Sequence, residues 1–586
     1  MRLILRRRPG TLLILLGMMT MSACQSTPQR PVSPPVVEAL PAPVPEPHLA
    51  AATRAREALD NAELWLAGGD PYLARLALAD IDLAALSGDT AVHAATLMID
   101  ADLALGLFED ASRRLGTLRL PPAETARLRA TLCDNAGQLQ CAFEQRVEAA
   151  IHAPASTDTN DAVWAALIRW QTSADAGFVP LVGNNTVTGW LELAAVVRGG
   201  ASLDAQRQAY ADWARAHPDH PASLQLPQAI RYLAADQPSA TTAITVWLPL
   251  SGPLRGIGQA VRDGMLSALL EDEPMQRPNL SFQDVAVTTP GQMLEAPGTQ
   301  NAEFIVGPLV RDSVQALATI NPLRPVLALN YLNGPAPRND FYQFGLAIED
   351  EAVTMAAWLR SQRARSVLFV LTNANWAARA LAELERHWQG KSKVITVASA
   401  RETTEAVGGA LEITDAFRRN IAIQTLLGGN VRVGETRHDE WDAVVALTDT
   451  EQTSSLGPAL RFHGLNDTPI LLGTQSARYN TDLSELNGAR VVEIPALLDG
   501  GATMNRLSQT WNKRGRADFG FYALGADAYA LVRRLPTTGY ATRLDLWGAT
   551  GFLAMRPDGS IHRQLGIGRI KRGRVSSAAA ADVRTR

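Results

Sequence analysis

The feature that most limits what this chain can become is a change of periodicity close to Ala243. Upstream, from about Ala50 to Asp236, apolar residues return every three or four positions: Leu59, Ala62 and Leu66; Leu73, Leu76 and Ala77; Leu97, Ala101 and Leu105. That spacing puts them on one side of a helix, and short Gly, Pro and Asp stretches divide the run into separate helices. Downstream, short β-rich runs alternate with helical stretches. The strand candidates are residues 244–248, 303–306, 325–329, 366–371, 394–397, 443–447 and 470–472. Such alternation calls for parallel sheets covered on both faces and joined by right-handed crossovers. The stretch is long for one sheet, so two α/β lobes are expected.

Two turns in the helical half share a pattern, Gly106-x-Phe108-x-x-Ala111 and Gly137-x-Leu139-x-x-Ala142. In each, a small residue ends one helix, and an apolar residue with an alanine lets the next pack closely. Their separation is near the ~34-residue period of tetratricopeptide repeats, which this half resembles. The expected fold class is therefore α + α/β. An N-terminal α-solenoid resembling tetratricopeptide repeats covers residues 50–236, and a two-lobed α/β domain covers residues 243–575. Residues 190–218 read as a last helix pair with Trp190, Tyr210 and Trp213 in its core.

At the N-terminus Arg2 and Arg6 to Arg8 precede an apolar run, Thr11 to Met19, that is shorter than the ~20 residues of a permanent membrane span. It reads as a signal peptide, residues 1–23. Met21-Ser22-Ala23-Cys24 resembles the bacterial lipobox, although Met21 stands where Leu is preferred. Cys24 is thus the expected lipidation site. Gln25 rather than Asp follows it, which favours the outer membrane over inner-membrane retention. Residues 24–49 are rich in proline and form a semi-extended tether, and residues 576–586 read as a disordered tail. With Cys24 assigned to lipid, Cys133 and Cys141 remain. An oxidising periplasm permits a disulfide between them, and two small buried residues on adjacent helices would serve equally.

With 46% apolar residues and a net charge of -4, the chain carries no excess of positive charge of the kind that binds nucleic acid. Gly256-x-Gly258 follows the first strand of the α/β half, but the third glycine of a dinucleotide fingerprint falls on Val261. A strand-to-helix turn accounts for both glycines. Arg437-His438-Asp439-Glu440 lacks a second histidine at ligand spacing and reads as a polar loop. Glu349, Asp350 and Glu351 stand at a helix start, where the helix dipole favours negative charge. No nucleophile with its base is visible, so neither enzyme activity, cofactor nor metal is expected.

Leu248-Pro249-Leu250-Ser251-Gly252-Pro253, the Gly258-Gln259-Ala260-x-x-Asp263-Gly264 helix and Val306-Gly307-Pro308-Leu309 resemble the type I periplasmic binding proteins. More specifically, five further blocks resemble the LpoA family of penicillin-binding protein activators. They are Phe344-Gly345-Leu346 with Glu349-Asp350-Glu351-Ala352, Arg437-His438-Asp439 before Asp442-Ala443-Val444, and Leu486-Asn487-Gly488-Ala489-Arg490. Ala523-Leu524-Gly525-x-Asp527-Ala528-Tyr529 and Gly548-x-Thr550-Gly551-x-Leu553 with Ile561-His562-Arg563-Gln564-Leu565 complete the set. The resemblance implies an outer-membrane lipoprotein that binds and activates a class A penicillin-binding protein and so promotes peptidoglycan synthesis. It implies no contact residues. The alternative is a periplasmic solute-binding protein for a small molecule such as an amino acid, held by Ser251, Asp312, Ser313 and Asn330 beside Leu254, Leu309 and Tyr331.

Overall fold

The computed structural model describes residues 47–82, 86, 88–154, 156–173, 185–199, 202–234, 242–411, 425–426, 441–478, 482–498, 518–536 and 541–577. Cys24, nearly all of the tether, the 437–440 cluster and residues 578–586 lie outside them.

The helical half contains α1 (Pro47–Ala67), α2 (Pro71–Ala77), α3 (Gly88–Ala104), α4 (Phe108–Thr117), α5 (Pro122–Asn135) and α6 (Leu139–Ile151). It continues through α7 (Thr157–Gln171), α8 (Asn185–Arg198), α9 (Leu203–Ala216), α10 (Pro221–Leu224) and a 3-10 turn, Gln228–Leu233. The first helix starts at Pro47, inside the segment expected to be tether. A proline is well placed there, because its fixed φ suits the first helical turn and its missing N–H would have had no partner. The two glycines of the shared pattern have φ of 74° at Gly106 and 71° at Gly137. Each lets the chain reverse. Leu107 N–H then reaches Asp102 C=O and Gln138 N–H reaches Cys133 C=O, both at 2.8 Å. This left-handed cap satisfies carbonyls that the helix end leaves open. The same closure recurs at Gly69, where Asp70 N–H meets Trp65 C=O at 2.8 Å. A third copy of the turn thus precedes the two legible in the sequence.

The α/β half opens with β1 (Ala243–Leu248), α11 (Arg255–Leu269), β2 (Asn279–Asp284), α12 (Pro290–Glu295), α13 (Pro297–Gln300), β3 (Phe304–Val306), α14 (Arg311–Ile320), β4 (Val326–Ala328) and β5 (Phe341–Phe344). The chain then crosses to α15 (Ile348–Ser361), β6 (Ser366–Thr372), α16 (Asn375–His387), β7 (Lys391–Val397), α17 (Ala400–Ala410), β8 (Ala443–Leu447), α18 (Thr450–Phe462), β9 (Ile470–Leu472), β10 (Arg490–Glu493) and α19 (Pro495–Leu498). It returns for α20 (Phe519–Val532), β11 (Asp545–Trp547), β12 (Phe552–Met555) and β13 (Ser560–Gln564), and crosses again for β14 (Gly566–Lys571) and β15 (Arg574–Ser577). Two sheets result. Their orders are β11-β12-β13-β5-β4-β3-β1-β2 and β15-β14-β10-β9-β8-β6-β7. Each is parallel through its middle and ends in an antiparallel extension built from the C-terminal strands.

This is the expected α + α/β architecture with two lobes. Two details of the expectation are corrected. Ser576 and Ser577, assigned to the tail, belong to β15, where Ser577 pairs with Gly568 and the Ser576 hydroxyl donates to Arg569 C=O at 3.2 Å. Gly256 and Gly258 are not turn residues but lie in the first turn of α11. Gly258 is there because a Cβ would stand 2.0 Å from the Pro249 carbonyl oxygen.

Helix α20 is buried almost all round, as its mostly apolar sequence requires, and its one charged residue, Asp527, is buried with the rest. It crosses α11 so closely that a Cβ on Gly264 would lie 1.9 Å from Tyr522 O, and one on Gly525 1.9 Å from Val261 O. The core does not stop at the boundary between the halves. Phe143, Trp164, Trp190, Leu193 and Ile230 share one apolar cluster with Val246, Phe344, Leu531, Leu546 and Phe552.

Candidate functional site

Two seams organise the molecule, one between the lobes and one between the helical half and the first lobe. The lobe seam starts at α15, the helix that follows the first crossover. Its three consecutive acids do not cap it: no side chain caps this helix, and only Glu349 faces outward, toward Arg379 at 3.3 Å. Asp350 and Glu351 are 2% and 6% exposed. Asp350 receives Arg563 Nε at 3.1 Å and lies 2.9 Å from His562 Nδ1, both residues being on β13 of the first sheet. Arg563 also donates to Ala347 C=O at 3.0 Å, on the crossover itself. Glu351 accepts from the Thr474 hydroxyl at 2.6 Å and the Thr474 N–H at 3.1 Å, just past β9. Burial raises the Glu351 carboxyl above its ordinary pKa, against the pull of those two donors. All three acids do stand in the first turn of α15, as expected, but the two buried ones need polar partners, and these come from distant strands rather than from the helix end.

The residues proposed for an amino-acid pocket are largely committed within the protein. Asn330 donates to Leu309 C=O at 3.0 Å and accepts from Tyr331 N–H at 3.0 Å. Tyr331 donates its hydroxyl to Ile561 C=O at 2.6 Å, and its ring stacks on His562 with centroids 5.5 Å apart. Burial drives the Tyr331 phenol well above its ordinary pKa. Ser251 hydrogen-bonds the Asp284 carboxylate. Asp312 and Ser313 lie in the first turn of α14. The structure thus commits Asn330 and Tyr331 to partners within the first lobe, beside the seam. In the sequence His562 and Arg563 stand inside a family-like block, and an arginine within a strand of buried residues is the signal that marks the place.

At the second seam Asp545 accepts from Trp164 Nε1 at 2.9 Å, and its carbonyl accepts from the Tyr232 hydroxyl at 3.1 Å. Burial lifts the Asp545 carboxyl to about 6, the indole donor opposing the rise. Arg534 donates to Gln206 Oε1 at 2.5 Å, Gln564 donates to Thr172 C=O at 2.9 Å, and the Arg198 guanidinium lies 5.0 Å from the Trp547 ring centre. Polar bonds around a shared apolar centre join the two halves as one body.

Cys133 and Cys141 are joined across the turn between α5 and α6, with Cα atoms 5.8 Å apart. In the helical half a cavity of about 370 Å³ is lined by Arg75, Met98, Asp102 and Arg114. Asp102 lies within ion-pair distance of both guanidiniums, 3.1 Å from Arg75 and 3.2 Å from Arg114. Among the described residues no cluster of His, Cys, Asp or Glu could hold a metal ion, and no helix is long and apolar enough to cross a membrane.

Comparison with known proteins places this geometry. The penicillin-binding protein activator LpoA of Vibrio cholerae is 23% identical over 419 residues, covering 69% of this chain and 70% of its own. The protein of the same name from Photobacterium profundum is 24% identical over 463 residues, covering 75% and 74%. The crystal structure of full-length LpoA from Haemophilus influenzae superposes with a TM-score of 0.51 at 18% identity, over 90% of this chain and 97% of that one, and shows the same fold. Residues 67–572 match the family described as "LppC putative lipoprotein", and the chain belongs to that family.

Proposed function

We propose that this protein is an outer-membrane lipoprotein, anchored through Cys24, that binds and activates a class A penicillin-binding protein and performs no chemistry itself. The observation that carries the reading is the lobe seam. In a two-lobed receptor fold, Asn330 and Tyr331 would be placed to meet a ligand. Here they bond to Leu309 and Ile561 instead, and Asp350 and Arg563 hold the joint. Such a fold offers other proteins a shaped surface rather than a reaction centre. The names of the relatives, activators of penicillin-binding proteins, agree with it.

The test uses the full mature chain, because the shared core would expose apolar surface if the halves were separated. Mixed with a class A synthase from the same organism, the protein should bind it and raise its crosslinking of peptidoglycan. Calorimetry against amino acids should show no heat. Tight binding of an amino acid, with no effect on any synthase, would replace this reading by that of a solute receptor. For the anchor, mass spectrometry should find a lipid-modified Cys24 at the mature N-terminus, and Cys24→Ser should release the protein from the membrane. An unmodified N-terminus elsewhere would remove the anchor from the proposal.

A further inference from the structure

The end of the second sheet carries a group of closely spaced cations. Arg490 on β10 stands directly opposite Arg569 on β14, and Lys571 on β14 directly opposite Arg574 on β15. Directly paired residues share a face, as do Arg569 and Lys571 two positions apart, so all four side chains project from one side. Arg569, Lys571 and Arg574 are exposed, and Arg490 is half-buried. Like charges directly opposed across antiparallel strands are destabilising. The tip adds to this. The turn between β14 and β15 has φ of 51° at Arg572 and 70° at Gly573, a hairpin geometry that favours Asn at the place Arg572 occupies. Among the described residues none of these five cations makes an ion pair, although the chain as a whole carries a net charge of -4. Protection of a sheet edge explains a charge on β15 but not one on β10, two strands inside.

The opposite face is firmly backed. Val491, Gly568 and Ile570 are buried there, and Leu498 lies over Gly566 and Gly568. On the cations' own face Val492 and Ile567 pack into the core of the second lobe, so the cations stand at fixed spacing along the part of that face left open. The three strands, Arg-Val-Val-Glu, Gly-Ile-Gly-Arg-Ile-Lys and Arg-Val-Ser-Ser, contain no aromatic ring on which a sugar would stack.

We propose that this basic face of β10, β14 and β15 is the docking surface for an acidic face of a folded protein partner, the synthase of the function proposed above, on which this inference rests. Repulsion that costs the free protein stability is relieved when carboxylates of the partner meet the array. It also speeds encounter with a negatively charged surface.

The test compares the full chain with its variant Arg569→Gln, Lys571→Gln, Arg574→Gln. The variant should bind the synthase about tenfold or more weakly at low ionic strength and lose most of the salt dependence seen with the parent. Its thermal midpoint should be unchanged or higher, because a repulsive pair is gone. Arg569→Lys with Arg574→Lys keeps the charge and should keep most of the binding. A triple variant that binds as tightly as the parent, with the same salt dependence, overturns the docking surface and leaves the proposed function standing. So does a variant with a lowered midpoint whose weak binding the lysine pair does not restore. Loss of binding to purified peptidoglycan sacculi with synthase binding intact overturns it in favour of an anionic wall polymer. A parent chain that binds no class A synthase overturns both readings.

Discussion

Arg563 on β13 donates from Nε to Asp350 on α15 at 3.1 Å, so a strand of one lobe is tied to the first helix of the other at the point where the chain crosses between them. His562 approaches the second oxygen of the same carboxylate at 2.9 Å. Both members of the ion pair are buried, at 2% and 5% exposure. Removing one partner therefore matters more than the pair's own net contribution, because it leaves a charge in the interior with nothing to offset it.

Asp350→Ala should accordingly lower stability by about 3–5 kcal/mol in urea unfolding, and Arg563→Ala by a similar amount. The double variant should cost clearly less than the sum of the two. Additive losses would show that the two groups are not coupled.

The crossing of α11 and α20 predicts a contrast among glycines. Gly264→Ala and Gly525→Ala each drive a methyl to 1.9 Å from a backbone oxygen of the facing helix, which cannot yield without moving that helix. Each should cost about 3 kcal/mol or more, or prevent folding. Gly256 in the first turn of α11 has nothing within 4 Å of its Cβ position. Gly256→Ala should be neutral or stabilise by up to about 1 kcal/mol. Thermal melts of the three variants are the check, and equal midpoints would refute the close crossing.

Asp527 sets a dependence on pH. Burial pushes its carboxyl up to about 6 from an ordinary value of 3.8, although the Thr550 hydroxyl at 2.6 Å, Thr550 N–H at 2.8 Å and Ala549 N–H at 2.7 Å pull the other way. The folded protein thus holds this proton more firmly than the unfolded chain. Its contribution is complete below about pH 4 and is lost as pH rises through 6, an effect of roughly 1–3 kcal/mol. Stability should therefore rise as pH falls from 7 to 5, and Asp527→Asn should flatten that slope. Asp442 acts in the opposite sense. The Arg365 N–H at 2.7 Å and Ser366 N–H at 2.9 Å hold it below the usual carboxylate range, so its contribution disappears only in stronger acid. A parent chain whose urea midpoint is flat between pH 7 and 5 would contradict this reading of Asp527.

The Cys133–Cys141 link closes a short loop between α5 and α6. Thiol labelling of the exported protein, denatured without reductant, should leave both residues unmodified. Reduction should lower stability by about 2–3 kcal/mol. Two labelled thiols would show that the pair is not bridged in the exported chain.

Most elements were legible because their signals are local. The three- and four-residue spacing of Leu59, Ala62 and Leu66 and the apolar runs at β1, β3, β4, β6, β7, β8 and β9 are set by neighbours in sequence. The remaining strands were not recognised. β2 is largely polar, β5 is four residues buried without alternation, and β10 to β15 are three to six residues long. Such segments become strands only because a sheet is already there to receive them. The lobe seam has the same origin. Three adjacent acids at a helix start suit the helix dipole equally well, and nothing local says which will turn inward. Asp350 does so because β13, 213 positions further along, brings Arg563 beneath it, and Glu351 because the end of β9 presents Thr474. By itself the sequence determined the helices, the central strands, the two-lobed plan and the family resemblance, all carried by short-range pattern. Tertiary structure alone decided which charges are buried, which glycines cannot carry a side chain, and which cations are left facing outward, because each of those depends on chain segments that meet only after folding.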